Sequence, residues 1–202
     1  MKYFLLTGLL CSGVPTEASA QNAGLTDSSQ FRCTIRPSKN RYGAGEEVQF
    51  VVEVRNRATT PQILVKPVAG SESGVIFPAA RFEVYRVRGL LPKKKVLPQP
   101  AAFTRPLAPD DFVPVAPGQS LNLFAEPERP GAKVLFSEAG YDDLPAGTYE
   151  VRFAYSLVPT EPQRQRITAA GTSPNQKTLA ELLAQVPAVE LRSNAVQLTI
   201  EK

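Results

Sequence analysis

The sequence predicts an all-β protein built as an antiparallel sandwich, and three observations carry that expectation. Apolar residues recur at every second position in several separate runs, the period of a strand with one face buried. Proline accounts for 19 of 202 residues, nearly twice the usual ~5%, which favours short strands and stiff loops over long helices. Only one stretch has a convincing helical period. With 43% hydrophobic and 21% charged residues, close to globular averages, the chain has enough apolar material for one sizeable core.

Residues 1–20 read as a cleavable secretory leader. Lys2 is the early cation, Tyr3 to Cys11 the apolar stretch, Pro15 the break, and Ala18-Ser19-Ala20 the small-residue site before Gln21. The stretch is far shorter than the ~20 residues that span a bilayer, and no later segment is long enough, so no transmembrane segment is expected. The expected location is periplasmic or extracellular. At Cys11 a lipoprotein signal would want a small residue just before the cysteine, and Leu10 stands there. Cleavage after Ala20 leaves Cys33 as the sole cysteine, so no internal disulfide can form.

Residues 21–30 are small and polar and read as a flexible segment. The domain is expected over 31–202, beginning with a strand that sets Phe31, Cys33 and Ile35 against Arg32, Thr34 and Arg36. Residues 37–45 read as a loop. The clearest strand follows, with Val48, Phe50, Val52 and Val54 opposed to Gln49, Glu53 and Arg55. Further strands are expected at 62–66, 81–87, 112–115 and 120–124, the last two separated by the turn Ala116-Pro117-Gly118-Gln119. Near the end, 147–157 alternates Tyr149, Val151, Phe153 and Tyr155 with Glu150, Arg152 and Ala154, and 195–201 buries Val196, Leu198 and Ile200.

Two insertions break the pattern. Residues 89–110 contain prolines at 92, 98, 100, 106 and 109, which excludes a regular helix or a central strand, and an extended loop is expected. Residues 158–190 hold one expected helix. Its signals are Thr178 and Glu181 as a capping box and Leu179, Leu182, Leu183 and Val186 on one face, ending at Pro187.

Three segments resemble the immunoglobulin-like and fibronectin-III-like sandwiches of exported bacterial proteins: residues 45–56 as a second strand ending in Asn56, 144–153 as the penultimate strand, and 193–200 as the last. The resemblance implies a tyrosine corner at Tyr149, in which the hydroxyl turns back onto the backbone upstream. Trp is absent and no cysteine pair is available to bridge the sheets, which departs from antibody-type domains.

The chain has no histidine, which removes Ser-His-Asp and Cys-His nucleophile systems and imidazole-bound zinc. No catalytic residue, metal or cofactor is expected. Asp110-Asp111, Glu126, Glu128, Glu138 and Asp142-Asp143 leave open a carboxylate-based glycan-active or calcium-dependent domain, against the plainer reading of solvated loop charges. The preferred expectation is an exported, non-catalytic module that binds a protein or cell-envelope component, with an extracellular protease inhibitor as a further alternative. The candidate contacts are Lys93, Lys94, Lys95, Phe103 and Arg105, where basic and apolar groups share a proline-stiffened loop that orders at low entropic cost. No aromatic row accompanies these charges, so nucleic acid is not an expected partner. The net charge of +4 is mild and consistent with solubility alone. Cys33 alternates with core residues and reads as a small buried hydrophobe. The partner's identity and the oligomeric state stay open.

Overall fold

The computed structural model describes residues 28–68, 71, 76–88, 91–96, 106–125, 133–137, 139, 141, 144–168 and 174–202. The expected leader lies outside these residues.

Period-two alternation becomes antiparallel sheet. In β1 (Phe31–Pro37), Phe31, Cys33 and Ile35 are buried while Arg32 and Arg36 face water. This strand pairs with β3 (Gln49–Asn56), whose Phe50, Val52 and Val54 are also buried. Two short strands, β8 (Ser120–Asn122) and β9 (Val134–Leu135), line the other edge of β3. A second sheet runs in the order β2 (Arg41–Tyr42), β12 (Val196–Ile200), β10 (Gly147–Ser156), β5 (Ala79–Arg88) and β6 (Leu91–Val96). Here β11 (Glu190–Arg192) joins the same edge of β10 as β12. Every pairing is antiparallel except that of β2 with β12, which is parallel. A separate ribbon joins β4 (Gln62–Val65) to β7 (Phe112–Val115).

The inner faces of the two large sheets share one core. Phe50 of the first sheet meets Phe82 of the second at a ring-centroid distance of 5.1 Å, and Phe136 packs on both at 4.7 and 5.1 Å. Phe153 continues the cluster from Phe82 at 5.1 Å. Burying one such ring contributes roughly 1.5–3 kcal/mol. The expected all-β class therefore holds, with a core between facing sheets.

Polar side chains fasten the pieces that the ladders leave loose. Val65 of β4 turns its backbone N–H and C=O away from β7; the Tyr155 hydroxyl accepts the first at 3.1 Å and donates to the second at 2.6 Å. Asn56, fully buried at the end of β3, donates to the carbonyls of Thr60 and Val115, each at 2.9 Å, and accepts from Ala58 N–H. A buried amide with its partners in place is stabilising, whereas an unpaired one is costly. Tyr149 is also buried, and its hydroxyl donates to the Pro145 carbonyl four residues upstream at 2.6 Å.

Several elements differ from the sequence expectation. Residues 91–96 form β6 rather than part of an extended loop. Among the described residues this is an edge strand, a position that tolerates Pro92, and consecutive lysines on an edge discourage edge-to-edge association. The 3-10 turn Pro109–Asp111 follows in the same insertion. Two helices stand where one was expected: α1 (Glu161–Thr168) and α2 (Pro174–Ala184). Thr178 is inside α2, so it does not cap it; Pro174 opens the helix, where its missing N–H costs nothing. The reach-back bond of a capping box forms instead at α1, where Gln163 Oε1 accepts from Thr160 N–H at 2.7 Å. The apolar face of α2 is as read, with Leu179 and Leu183 buried and Leu182 and Val186 packed against the core. Residues 41–42 within the expected loop form β2, and Ser28–Gln30 form a 3-10 turn at the end of the expected flexible segment.

Candidate functional site

The final strand is split, and the split creates a cleft. Ser193 N–H donates to Phe153 O at 2.9 Å, while Val196 stands opposite Val151. Two steps along β10 thus match three along the final strand, a bulge over Ser193–Ala195. The bulge aims Asn194 across at β1 in the other sheet. Its Oδ1 accepts Ile35 N–H at 3.0 Å, and its Nδ2 donates to Ile35 O at 3.2 Å. A side-chain amide here stands in for a neighbouring strand's peptide group.

On one side of that bridge the two strands part, leaving a cleft of about 660 Å³ lined by Phe31, Arg32 and Cys33 of β1 and by parts of β5, β10 and β11. Its floor is made of small side chains. Ala154 lies between Arg81 and Arg192 in register, and Ser156 between Ala79 and Glu190. Alternation places Ala79, Arg81, Ala154, Ser156, Glu190 and Arg192 on one face, opposite the core-facing Ala80, Phe82, Tyr155 and Leu191.

Glu83 holds the two arginines that wall this floor. Its carboxylate is only 8% exposed and lies 3.3 Å from Arg192 Nη2 and 3.9 Å from Arg81 Nη2. The guanidinium ends remain accessible, at 68% and 45% side-chain exposure respectively. With Arg32 the lining carries three cations against Glu190, and Glu83 beneath still leaves an excess of one positive charge. Guanidinium groups in fixed positions suit planar oxyanions such as carboxylates.

The backbone edge of β11 also faces outward. Leu157 N–H donates to Val189 O and Ser193 N–H to Phe153 O, while Phe153 N–H donates to the Ser193 hydroxyl, so residues 189, 191 and 193 are the ones that turn towards β10. By alternation, the N–H and C=O groups of Glu190 and Arg192 point away from β10. In β1, Arg57 N–H reaches Gln30 O and Ser38 N–H reaches Gln49 O, so even-numbered residues bond to β3 and those of Phe31 and Cys33 point away.

Cys33 lines the cleft from β1, and burial pushes its pKa up to about 12, which favours the protonated thiol. Among the described residues no cluster of Cys, Asp or Glu is placed to hold a metal ion, and no helix is long and apolar enough to cross a membrane.

No protein-family model matches the chain, and no curated protein matches it in sequence. The site therefore has to be read from its own residues.

Of the sequence-predicted contacts, Lys93, Lys94 and Lys95 lie on β6, where Lys94 and Lys95 stand opposite Arg86 and Tyr85. That strand is at the far edge of the sheet, separated from β11 by β5 and β10, or roughly 14 Å at ~4.8 Å per strand. The structure does not bring these lysines to the cleft. Phe103 and Arg105 lie outside the described residues, as do Glu126, Glu128, Glu138, Asp142 and Asp143. Tyr149 is a buried structural residue. Asp111 is buried too, and its Oδ2 accepts Ala108 N–H at 2.8 Å to close the 3-10 turn. Sequence reasoning missed Arg32, Arg81 and Arg192, because each sits at an outward strand position where arginine is unremarkable. The available signal was the pairing of Arg81 and Arg192 with small outward residues at 79, 154 and 156, legible only once the register is known.

Proposed function

We propose that this chain is an exported, non-catalytic β-sandwich of the immunoglobulin-like or fibronectin-III-like kind that binds a partner protein through the arginine-lined cleft between β1 and β11. The strand order supports the fold reading: β1-β3-β8 facing β12-β10-β5-β6 corresponds to an A-B-E sheet facing a G-F-C-C′ sheet. The Tyr149 hydroxyl bond to Pro145 fits the tyrosine corner of that architecture. Export is supported by the arrangement of Lys2, the apolar stretch to Cys11 and Ala18-Ser19-Ala20.

The observation that carries the binding role is the cleft itself. Exposed arginines over a floor of Ala79, Ala154 and Ser156 give a partner both charge and depth, and arginine is enriched among residues that dominate interface energy. A chain without histidine, whose only cysteine beyond the leader is buried, lacks the Ser-His-Asp and Cys-His nucleophile systems.

Photocrosslinking residues introduced at Arg32, at Glu190 and, as a control, at the exposed Arg41 on β2 at the opposite end of the β11–β12 edge test this in the native cells. The expected result is one discrete protein adduct from positions 32 and 190 that is absent from position 41. Identical adducts from all three positions, or none from the cleft, would refute the assignment.

A further inference from the structure

We propose that the cleft takes its partner as an added β-strand: an extended acidic segment of the partner pairs with the outward edge of β11, its side chains reading the arginines. This deepens the binding role just given and rests on it.

The edge formed by β11 and β12 is already two-thirds spoken for. At one end β2 lies against it, with Thr199 N–H donating to Asn40 O and Glu201 N–H to Tyr42 O at 2.9 and 2.8 Å. In the middle, Asn194 bridges to Ile35. The remaining third, Glu190–Arg192, has no strand beside it among the described residues, and the cleft opens there. Strand addition would continue the line that β2 begins.

Register sets the chemistry of the incoming segment. Arg192 and Glu190 present side chains on the outer face and Leu191 on the inner one. Residues opposite each other on neighbouring strands pair by charge and by apolar contact. The segment therefore places an acidic side chain opposite Arg192, an apolar one opposite Leu191, and a small polar one opposite Glu190. The positive excess contributed by Arg32 and Arg81 favours an acidic segment overall. In this recognition mode, main-chain hydrogen bonds supply affinity and alternate side chains supply specificity.

The test uses the whole chain and a capped peptide of about ten residues, in which valine alternates with glutamate and threonine, long enough for a full strand. Amide hydrogen exchange is the primary readout. Peptide addition should slow exchange at Glu190 and Arg192 by about tenfold or more, while Leu191, already bonded to β10, stays slow throughout. Glu190→Pro removes an outward N–H without touching the β10 ladder, and it also removes a negative charge. Attraction by charge alone predicts equal or tighter peptide binding to that variant; strand addition predicts at least about a tenfold loss. Should Glu190→Pro unfold, the wild-type protein with a peptide N-methylated at alternate residues asks the same question, and binding should again fall. Arg192→Glu should weaken binding to a similar extent.

Peptide binding without amide protection, or binding insensitive to N-methylation, would overturn the strand mode. No binding up to about 1 mM peptide, an affinity of only ~4 kcal/mol, would do the same. Tighter binding of a heparin-derived hexasaccharide, with no protection at residues 190 and 192, would reassign the cleft to anionic glycans. In the first two cases the crosslinking result at positions 32 and 190 is unaffected, so failure of strand addition is separable from failure of the binding role.

Discussion

Among the described residues, the hydroxyl of Tyr155 is the one partner of two peptide groups, which makes Tyr155→Phe a sharp perturbation of this fold. Val65 is wholly buried, and its N–H and C=O both terminate on that oxygen at 3.1 and 2.6 Å. The ladder with β7 offers no substitute, since Lys66 N–H bonds Asp111 O and places Val65 on the opposite side. Removing one oxygen atom leaves an orphaned donor and an orphaned acceptor, each costing ~1–3 kcal/mol, so a loss of about 2–6 kcal/mol is expected. For a domain of this size that is a fall in Tm of roughly 4–24 °C. Urea unfolding should show a lower midpoint with the slope unchanged. Tyr141→Phe is the internal comparison, because its hydroxyl donates one bond, to Phe82 O at 2.7 Å, and should cost about 1 kcal/mol. If Tyr155→Phe lay within about 0.5 kcal/mol of wild type, or cost less than Tyr141→Phe, the account of β4 as fastened through one hydroxyl would be refuted.

Alkaline unfolding should follow the buried groups. Cys33 goes from 9.0 to about 12 and Tyr141 from 10.0 to about 12, both chiefly through burial. The native state holds these protons where the unfolded chain releases them, so stability is full below pH 9 and is lost as pH rises towards 12. For Cys33 this amounts to on the order of 4 kcal/mol, measurable as the pH dependence of the urea midpoint. The thiol should also label with a maleimide only at the rate of native-state opening, and rapid labelling in the folded protein would contradict its burial. Asn194→Ala strands both peptide groups of Ile35 at the sheet edge and should lower stability by ~1–3 kcal/mol while accelerating exchange of the Ile35 amide. Intact-mass measurement of exported product should give a chain beginning at Gln21, and retention of residues 1–20 would remove the leader assignment.

The long strands were legible because each has one wet face. Alternation at Phe31–Pro37, Gln49–Asn56 and Gly147–Ser156 follows the burial pattern closely. The missed strands lack that signature. Arg41–Tyr42 and Val134–Leu135 are too short to show a period, and Leu91–Val96 carries Pro92 and three lysines, acceptable on a strand with no partner beyond it among the described residues. Pairing across the core was invisible for a different reason. That Asn194 meets Ile35, or that Tyr155 meets Val65, depends on closures of 159 and 90 residues that no local pattern encodes. The cleft is the product of such closures, so its arginines looked like ordinary solvated residues in the sequence.

The parallel pairing of β2 with β12 also fixes when the molecule can finish folding. Arg41 lies beside Thr199, and its guanidinium reaches Glu201 at 3.0 Å, across 160 residues. The seam between β2 and β12 is therefore absent from any nascent fragment that stops short of residue 201. Such non-local closure is slow by nature. Under the proposed export route, in which the polypeptide threads a translocation pore as an open chain, this wiring postpones premature locking without any separate device.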